Sequence, residues 1–263
     1  MIYPKHSNLL FTTEYQAVLN RAVSLGYTLP THANRITQNQ LVIDLKAAGI
    51  WTLFDVFYPM LTNINFAKIN WKTPASNALT FPGTTPTYSA SVGFTGNASN
   101  MYISTNWAPS SGTNYTLNEC GHGCFIVINT TDNRNLYGTS TAADDGTNAM
   151  NLRPRSTTND SNARINSLFY ATATGTTDGS GFWHVKRTSS LAVDSSLWHD
   201  GTSIFSNFAA STGRSTNAVF ILAESQNGTV ANYNANNIAC FWAGASMAGK
   251  ESSFSSIMNG FYP

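Results

Sequence analysis

Ser196-Leu197-Trp198-His199-Asp200-Gly201-Thr202-Ser203-Ile204-Phe205 is the stretch on which the fold turns. Two β-prone runs flank an Asp-Gly dipeptide, which accepts the positive φ values that a two-residue type I′ turn demands. The reading is a β-hairpin. Outward from it the same texture recurs, with short aromatic and β-branched runs separated by Gly, Pro, Asn and Asp. Residues 88–94, 124–129, 135–139, 181–187, 218–222 and 238–243 are the clearest, and Asp145-Gly146, Asp178-Gly179 and Asn227-Gly228 repeat the punctuation. Many short strands at this spacing predict a mostly antiparallel, two-sheet β-sandwich or jelly roll. No repeat of fixed period is visible, which argues against propellers and solenoids.

Residues 1–49 read differently. Between 13 and 25, Ala17, Val18, Arg21 and Ala22 follow helical spacing, with Thr12 or Thr13 as N-cap and Gly26 as stop. After Pro30, Leu41, Ile43, Leu45 and Ala48 form a partly amphipathic stripe over 37–49 that Gly49 closes. The pair predicts a short helical N-terminal extension, suited to docking or oligomerisation, ahead of a sandwich over 50–263. No sustained heptads are present, so a coiled-coil shaft is not expected. The aromatic run over 50–60 predicts a first strand ended by Pro59. Phe254, Ile257 and Met258, at helical intervals before Gly260, predict a short C-terminal helix.

Hydrophobic residues make up 42% of the 263-residue chain, enough to fill a core, while charged residues make up only 10%. An ordinary soluble domain carries roughly 25% charge, so Ser, Thr, Asn and Gly must supply the polar surface. The wide spread of aromatic residues excludes a disordered chain. A net charge of +1 gives no general attraction to nucleic acid or an anionic membrane, and neither is an expected partner. No apolar run is long enough to cross a bilayer, and Met1-Ile2-Tyr3-Pro4-Lys5-His6 lacks signal-peptide character, so membrane insertion and export by such a signal are not expected. Three cysteines, an odd count, argue against a disulfide-stapled scaffold and fit a reducing cytoplasm.

Leu45-Lys46-Ala47-Ala48-Gly49-Ile50-Trp51 leads into the sandwich, and Gly181-Phe182-Trp183-His184-Val185-Lys186-Arg187-Thr188 forms a later strand. The Leu197–Gly201 hairpin follows, and Ile238-Ala239-Cys240-Phe241-Trp242-Ala243-Gly244 runs into the closing helix. Together these features, spanning residues 40–263, resemble a concanavalin A-like (laminin G-like) sandwich of the kind found in tailed-bacteriophage virion proteins. The resemblance implies a curved two-sheet sandwich used for carbohydrate recognition or for building fibres and capsid decorations, and it fixes no ligand. Glucanases of this fold carry paired carboxyls on one strand as Glu-x-Asp-x-x-Glu, about 5–5.5 Å apart in retaining enzymes. Here Glu14, Glu119, Glu224 and Glu251 stand isolated, and Asp144 and Asp145, as strand neighbours, would face opposite ways. The expectation is a chain that is not an enzyme.

Glycan recognition uses an aromatic face for sugar C–H groups beside amides, hydroxyls or Arg. Trp198, His199 and Asp200 at the hairpin tip are the first candidates, Trp107 with Asn106 in a Pro/Ser/Gly-rich loop the second, and Trp183 with Arg187 on one strand face the third. A strand Trp more often packs than faces solvent, and Arg187 equally suits pairing with a neighbouring carboxylate. Asp144, Asp145 and Asn148 offer oxygens for calcium in a turn, although Asp145-Gly146 already accounts for the turn and a hard cation needs six to eight oxygens. Cys120, His122 and Cys124 would project to one side of an extended strand, as metal ligands do. Against that, no fourth ligand is evident, Gly121 and Gly123 suit a loop leading into 125–128, and free cysteine is commonly a small buried hydrophobe. No cofactor beyond calcium is expected.

The leading expectation is a virion structural protein, a fibre, decoration or attachment subunit. It would be made in the host cytoplasm, assemble with other virion proteins or copies of itself, and present a lectin-like surface to cell-surface glycans. The alternatives are a non-catalytic cellular carbohydrate-binding module and, last, a glycoside hydrolase.

Overall fold

A computed structural model describes residues 11–143 and 147–262. Helices α1 (Thr13–Ser24) and α2 (His32–Ala47) come first. Strands β1 (Phe54–Pro59), β2 (Thr87–Ser89), β3 (Gly93–Thr95), β4 (Ile103–Ser104), β5 (Cys120–Ile126) and β6 (Tyr137–Ser140) follow. Next are β7 (Ala149–Arg153), β8 (Asp160–Ser167), β9 (Ala171–Thr174), β10 (Gly181–Arg187), β11 (Ser195–His199) and β12 (Thr202–Ser206). The chain ends with β13 (Phe220–Ile221), β14 (Ala223–Gln226), β15 (Thr229–Ala231), β16 (Asn237–Ile238), β17 (Cys240–Gly244) and helix α3 (Glu251–Phe261).

One sheet runs β1-β17-β5-β10-β11-β12 and is antiparallel throughout. The second runs β15-β14-β6-β7-β8-β9, with β13 and β4 attached beside β6, and contains one parallel pair, β14 with β6. β16-β3-β2 form a small third sheet. The two large sheets enclose a shared core, to which the first contributes Val56, Cys124, Trp183, Val185 and Phe241, and the second Tyr137, Met150, Leu152, Ala163 and Ile165. This is the expected mostly-β sandwich with N-terminal helices and a closing helix.

Helices cover the first sheet's other face. Tyr15 and Val18 of α1, Leu41 and Leu45 of α2, and Phe254 and Met258 of α3 pack on Phe54, Phe57, Phe125, Phe182 and Trp242. Burial on both faces explains why β1, β5 and β17 read as near-continuous apolar runs, where a half-solvated antiparallel strand would alternate. Phe54 and Phe57 both face the helices, stacked at 4.8 Å, because a register shift between Phe54 and Val56 breaks the period of two.

Gly121 and Gly123 lie inside β5 rather than in a loop ahead of it. A Cβ on Gly123 would come within 2.7 Å of Trp242 Nε1 and 2.1 Å of the Trp183 carbonyl oxygen, so the indole needs a bare backbone beneath it. At the hairpin, Asp200 (φ 46°) and Gly201 (φ 77°) form the predicted left-handed pair between β11 and β12. Thr12 caps α1 as predicted, its Oγ1 accepting from the Tyr15 N–H at 3.3 Å. Helix α2 begins well before the predicted 37, because Thr31 caps it at Asn34. The predicted strand over 50–60 opens instead with a 3-10 turn at Trp51–Leu53, and the run 88–94 folds back as the β2–β3 pair.

Candidate functional site

Among the described residues no helix packs on the second sheet's outer face, and its strands alternate with period two. Met150 and Leu152 of β7, Ala163 and Ile165 of β8, and Ala171 and Ala173 of β9 point into the core. The residues between them point outward: Asn151 and Arg153, Asn162 and Arg164, Thr172 and Thr174. Register sets Glu224 of β14 beside Gly138 of β6, Gly138 beside Asn151, and Asn151 beside Arg164, one row across four strands. Gly138 keeps the middle of the row open, since a Cβ there would lie 2.7 Å from Asn151 Cβ and 3.1 Å from Glu224 Oε1.

A polar network occupies this face. Glu224 is only 6% exposed and has no cationic partner among the described residues. Its Oε1 accepts from Asn135 Nδ2 at 2.6 Å and Asn151 Nδ2 at 3.0 Å, and its Oε2 from Asn232 Nδ2 at 2.7 Å. Three amides thus satisfy a carboxylate that burial alone would penalise. Asn135 Nδ2 also donates to the Tyr170 hydroxyl at 2.9 Å, and the Arg164 guanidinium lies 3.6 Å above the Tyr170 ring. Tyr170 remains 41% exposed. The result is an accessible aromatic ring framed by Arg164 and Asn135, with Asn151 Oδ1 and Asn162 Oδ1 unpartnered among the described residues.

The sequence pointed elsewhere. Trp198 is half-buried, donates through Nε1 to Ser196 Oγ at 2.7 Å, and has Lys186 Nζ 5.1 Å from its ring centroid. His199 stacks on Trp183 at 4.1 Å and contacts the Ser180 carbonyl through Nε2 at 2.6 Å. Asp200 Oδ1 accepts from the Phe182 N–H at 2.9 Å and from Asn259 Nδ2 at 3.1 Å, tying the hairpin to α3. A cleft of about 230 Å³ beside the hairpin is lined by Thr174, Thr176, Asp178, His199 and Ile204, and so takes in only one of the three candidates. Trp183, Trp107 and Arg187 lie in the interior, where no ligand reaches them. Arg187 pairs with no carboxylate among the described residues; it donates instead to the carbonyls of Ile165, Ser189, Ser190, Leu191 and Ala209. Asn106, at φ 53°, fastens its loop by donating to the Ala78 carbonyl at 2.7 Å.

Cys120, His122 and Cys124 do point to one side of β5, but that side is the core. His122 Nε2 meets the Arg164 carbonyl at 3.0 Å, and because a carbonyl only accepts, the ring proton sits on Nε2. Nδ1 then accepts from the Tyr137 hydroxyl at 2.7 Å, so one neutral imidazole bridges the two sheets. Burial lowers the His122 pKa to about 3 and pushes the Cys120 thiol up to about 12. No group of three metal-ligand side chains occurs among the described residues. Of the candidate calcium ligands, Asp144 and Asp145 lie outside the described residues, and Asn148 Nδ2 donates to Thr141 Oγ1 at 3.2 Å.

Asn135, Asn151, Arg164, Tyr170 and Glu224 were not among the predicted site residues. The available signal was the alternation in Met150-Asn151-Leu152-Arg153 and Asn162-Ala163-Arg164-Ile165, which marks half-buried strands with a polar outer face.

No protein-family model matches the sequence, and no curated protein matches it. Solved structures do. The Trypanosoma rangeli sialidase in complex with a difluoro-nononic acid is 8% identical over 87% of this chain and 40% of its own, with a TM-score of 0.50. NanB in complex with Optactamide is 12% identical over 65% of this chain and 28% of its own, at a TM-score of 0.43. The Ruminococcus gnavus IT-sialidase CBM40 bound to α2,3-sialyllactose is 14% identical over 52% of this chain and 82% of its own, at 0.37. This chain thus spans well under half the length of the first two. At such identities the likeness is one of fold. The expectation of a chain that is not an enzyme is overturned here, because the fold is shared with an enzyme, the Trypanosoma rangeli sialidase. The missing Glu-x-Asp-x-x-Glu pattern could test only one carboxylate-based chemistry, whereas sialidases use a tyrosine nucleophile.

Proposed function

We propose that this chain is a glycan-binding β-sandwich whose recognition surface is the outer face of the second sheet. The carrying observation is the exposed Tyr170 ring framed by the Arg164 guanidinium and the Asn135 amide. A pyranose asks for that combination: an aromatic face for its C–H groups, and planar donors and acceptors for its hydroxyls. In this reading Glu224 and its three amides fix the floor on which Tyr170 and Asn135 stand. The sandwich, of concanavalin A-like type, would be carried on a virion as a fibre, decoration or attachment subunit, with α1 and α2 near the contacts to its own copies or other virion proteins. Its low charge and its surface of Ser, Thr and Asn support that setting. Mass spectrometry and antibody labelling of purified particles would test it.

A glycan array probed with wild type, Tyr170→Ala and Trp198→Ala, all verified as folded by circular dichroism, tests the binding site. Loss of binding only in Tyr170→Ala is the expected result. Loss only in Trp198→Ala would move recognition to the β11–β12 hairpin. The same glycans, incubated with the protein and examined for released sugar, test a second reading, glycan cleavage, which the architecture shared with the Trypanosoma sialidase favours.

A further inference from the structure

Arg164 stands apart from the other arginines of the sandwich in what it lacks, a state it shares only with Arg21 and Arg35 near the N-terminal helices among the described residues. Arg187 is spent on backbone carbonyls, Arg134 on Asp132 at 2.9 Å, Arg155 on Asn159 Oδ1 at 3.0 Å, and Arg214 on the carbonyls of Pro109, Gly112 and Tyr115. The Arg164 side chain makes no hydrogen bond and no ion pair among the described residues, and its Nε is buried without a partner. Its one recorded side-chain contact is the Tyr170 ring, 3.6 Å below. An unused guanidinium would ordinarily extend into water. This one lies over the Tyr170 ring and is half-buried, so much of its conformational freedom is already lost before any ligand arrives.

Its surroundings carry the same sign. On the adjacent strand, Arg153 pairs with Asn162, diagonal to Arg164, and donates only to the Asn133 carbonyl at 2.8 Å, leaving its own Nε unpartnered. The acidic groups on this face are already engaged: Glu224 by three amides, and Asp160 by Thr158 Oγ1 at 2.7 Å. Two guanidiniums on neighbouring strands therefore face outward with no internal anion among the described residues to neutralise them. The Tyr170 hydroxyl, which accepts from Asn135, keeps its own proton free to donate beside Arg164.

We infer that the glycan bound here is acidic, and that its carboxylate or sulfate group docks on the Arg164 fork with Tyr170 and Arg153 flanking it. The inference rests on the glycan-binding reading and adds the charge of the ligand to it. A planar fork matches the paired oxygens of either anion, and charge-assisted bonds of that geometry are the strong ones.

The test is an array of paired glycans: uronate oligosaccharides beside their carboxyl-reduced twins, and sulfated oligosaccharides beside their desulfated twins. Wild type, Arg164→Lys and Arg164→Met are compared, with thermal unfolding as the folding control. The expected result is binding confined to acidic members, weakened about ten- to hundredfold in Arg164→Met. Arg164→Lys, which keeps the charge but not the fork, should fall between the two. Retention of the uronates alone, or of the sulfates alone, identifies which anion is read. Equal binding of acidic and neutral twins, or full binding by folded Arg164→Met, overturns the inference and leaves the glycan reading standing. Binding to no member of the array overturns the glycan reading, and the inference with it.

Discussion

A guanidinium with no exposure to solvent must be answered by oxygens from the protein, and Arg187 shows how many that takes. It gathers carbonyls from the end of β8 and from two loops, and thereby sets the geometry of one end of the sandwich. Arg187→Met is expected to destabilise the fold by about 2–4 kcal/mol, since several buried carbonyls lose their donor, and urea unfolding would measure it. His184 presents the opposite case. Neither ring nitrogen has a partner among the described residues, and the ring lies against Trp242 and Phe254, with Lys186 on its own strand, His122 on β5 and Glu251 on α3 as the nearby titratable groups. Burial, then the positive charge of Lys186, lowers its pKa to about 3. Between that value and the ordinary histidine range the unfolded chain binds the proton and the folded chain does not, so stability rises with pH there and is lost on acidification. His122 adds to the same window. His184→Phe should remove about 1.4 kcal/mol per pH unit from the slope of unfolding free energy between pH 4.5 and 6. An unchanged slope would show that the ring is solvated. Sequence reasoning fared poorly at this scale for one reason: it ranked residues by chemistry, and the chemistry of Trp183, Trp107 and Arg187 is spent inside the core.

Among the elements, α3 closes the helix-covered face of the first sheet. Phe254 packs edge-on against Phe182 at 4.6 Å and Trp242 at 5.1 Å, and lies 5.7 Å from Phe54. The Lys186–Glu251 ion pair fastens the helix start to β10. Phe254→Ala should cost about 3–5 kcal/mol in urea unfolding, the range for removing a fully buried aromatic ring. Helix α1 and the strands β10 to β12 were legible because a capping residue, a Gly stop and an Asp-Gly turn stood where their physics needs them, and α3 because Phe254, Ile257 and Met258 keep helical intervals, although the helix runs on through Gly260 to Phe261. Strands β7, β8, β9, β14 and β15 were not. Their inward positions are partly Ala, and their outward ones Asn, Arg and Thr, so each reads alone as loop until sheet partners supply the missing burial. The candidate site was overlooked with them, because it lies on those strands.

For the molecule as a whole, the two sheets have different obligations. The first is sealed between the second sheet and three helices; the second is sealed on one side only. A chain beginning at Ile50 would bare Trp51, Phe57, Phe66 and Trp71, which otherwise lie in the core shared with the helices. Such a chain is expected to bind a hydrophobic dye and to self-associate on size-exclusion chromatography, where the full chain does neither to the same degree. A soluble, equally stable truncated chain would mark α1 and α2 as an appendage. The mostly antiparallel sandwich itself was readable from turn spacing alone, whereas the double coverage of one sheet was not, since the contacts that create it join residues about 200 positions apart, such as Lys250 Nζ with the Ala48 carbonyl.

The alternation along β7, β8 and β9 separates two kinds of inheritance in one segment of chain. Met150, Leu152, Ala163, Ile165, Ala171 and Ala173 answer to the scaffold, while Arg153, Asn162, Arg164, Thr172 and Thr174 answer to whatever touches the surface. The surface can therefore be rewritten at every second letter without touching the scaffold, and a library randomised at those five outward codons should yield folded proteins with altered surfaces.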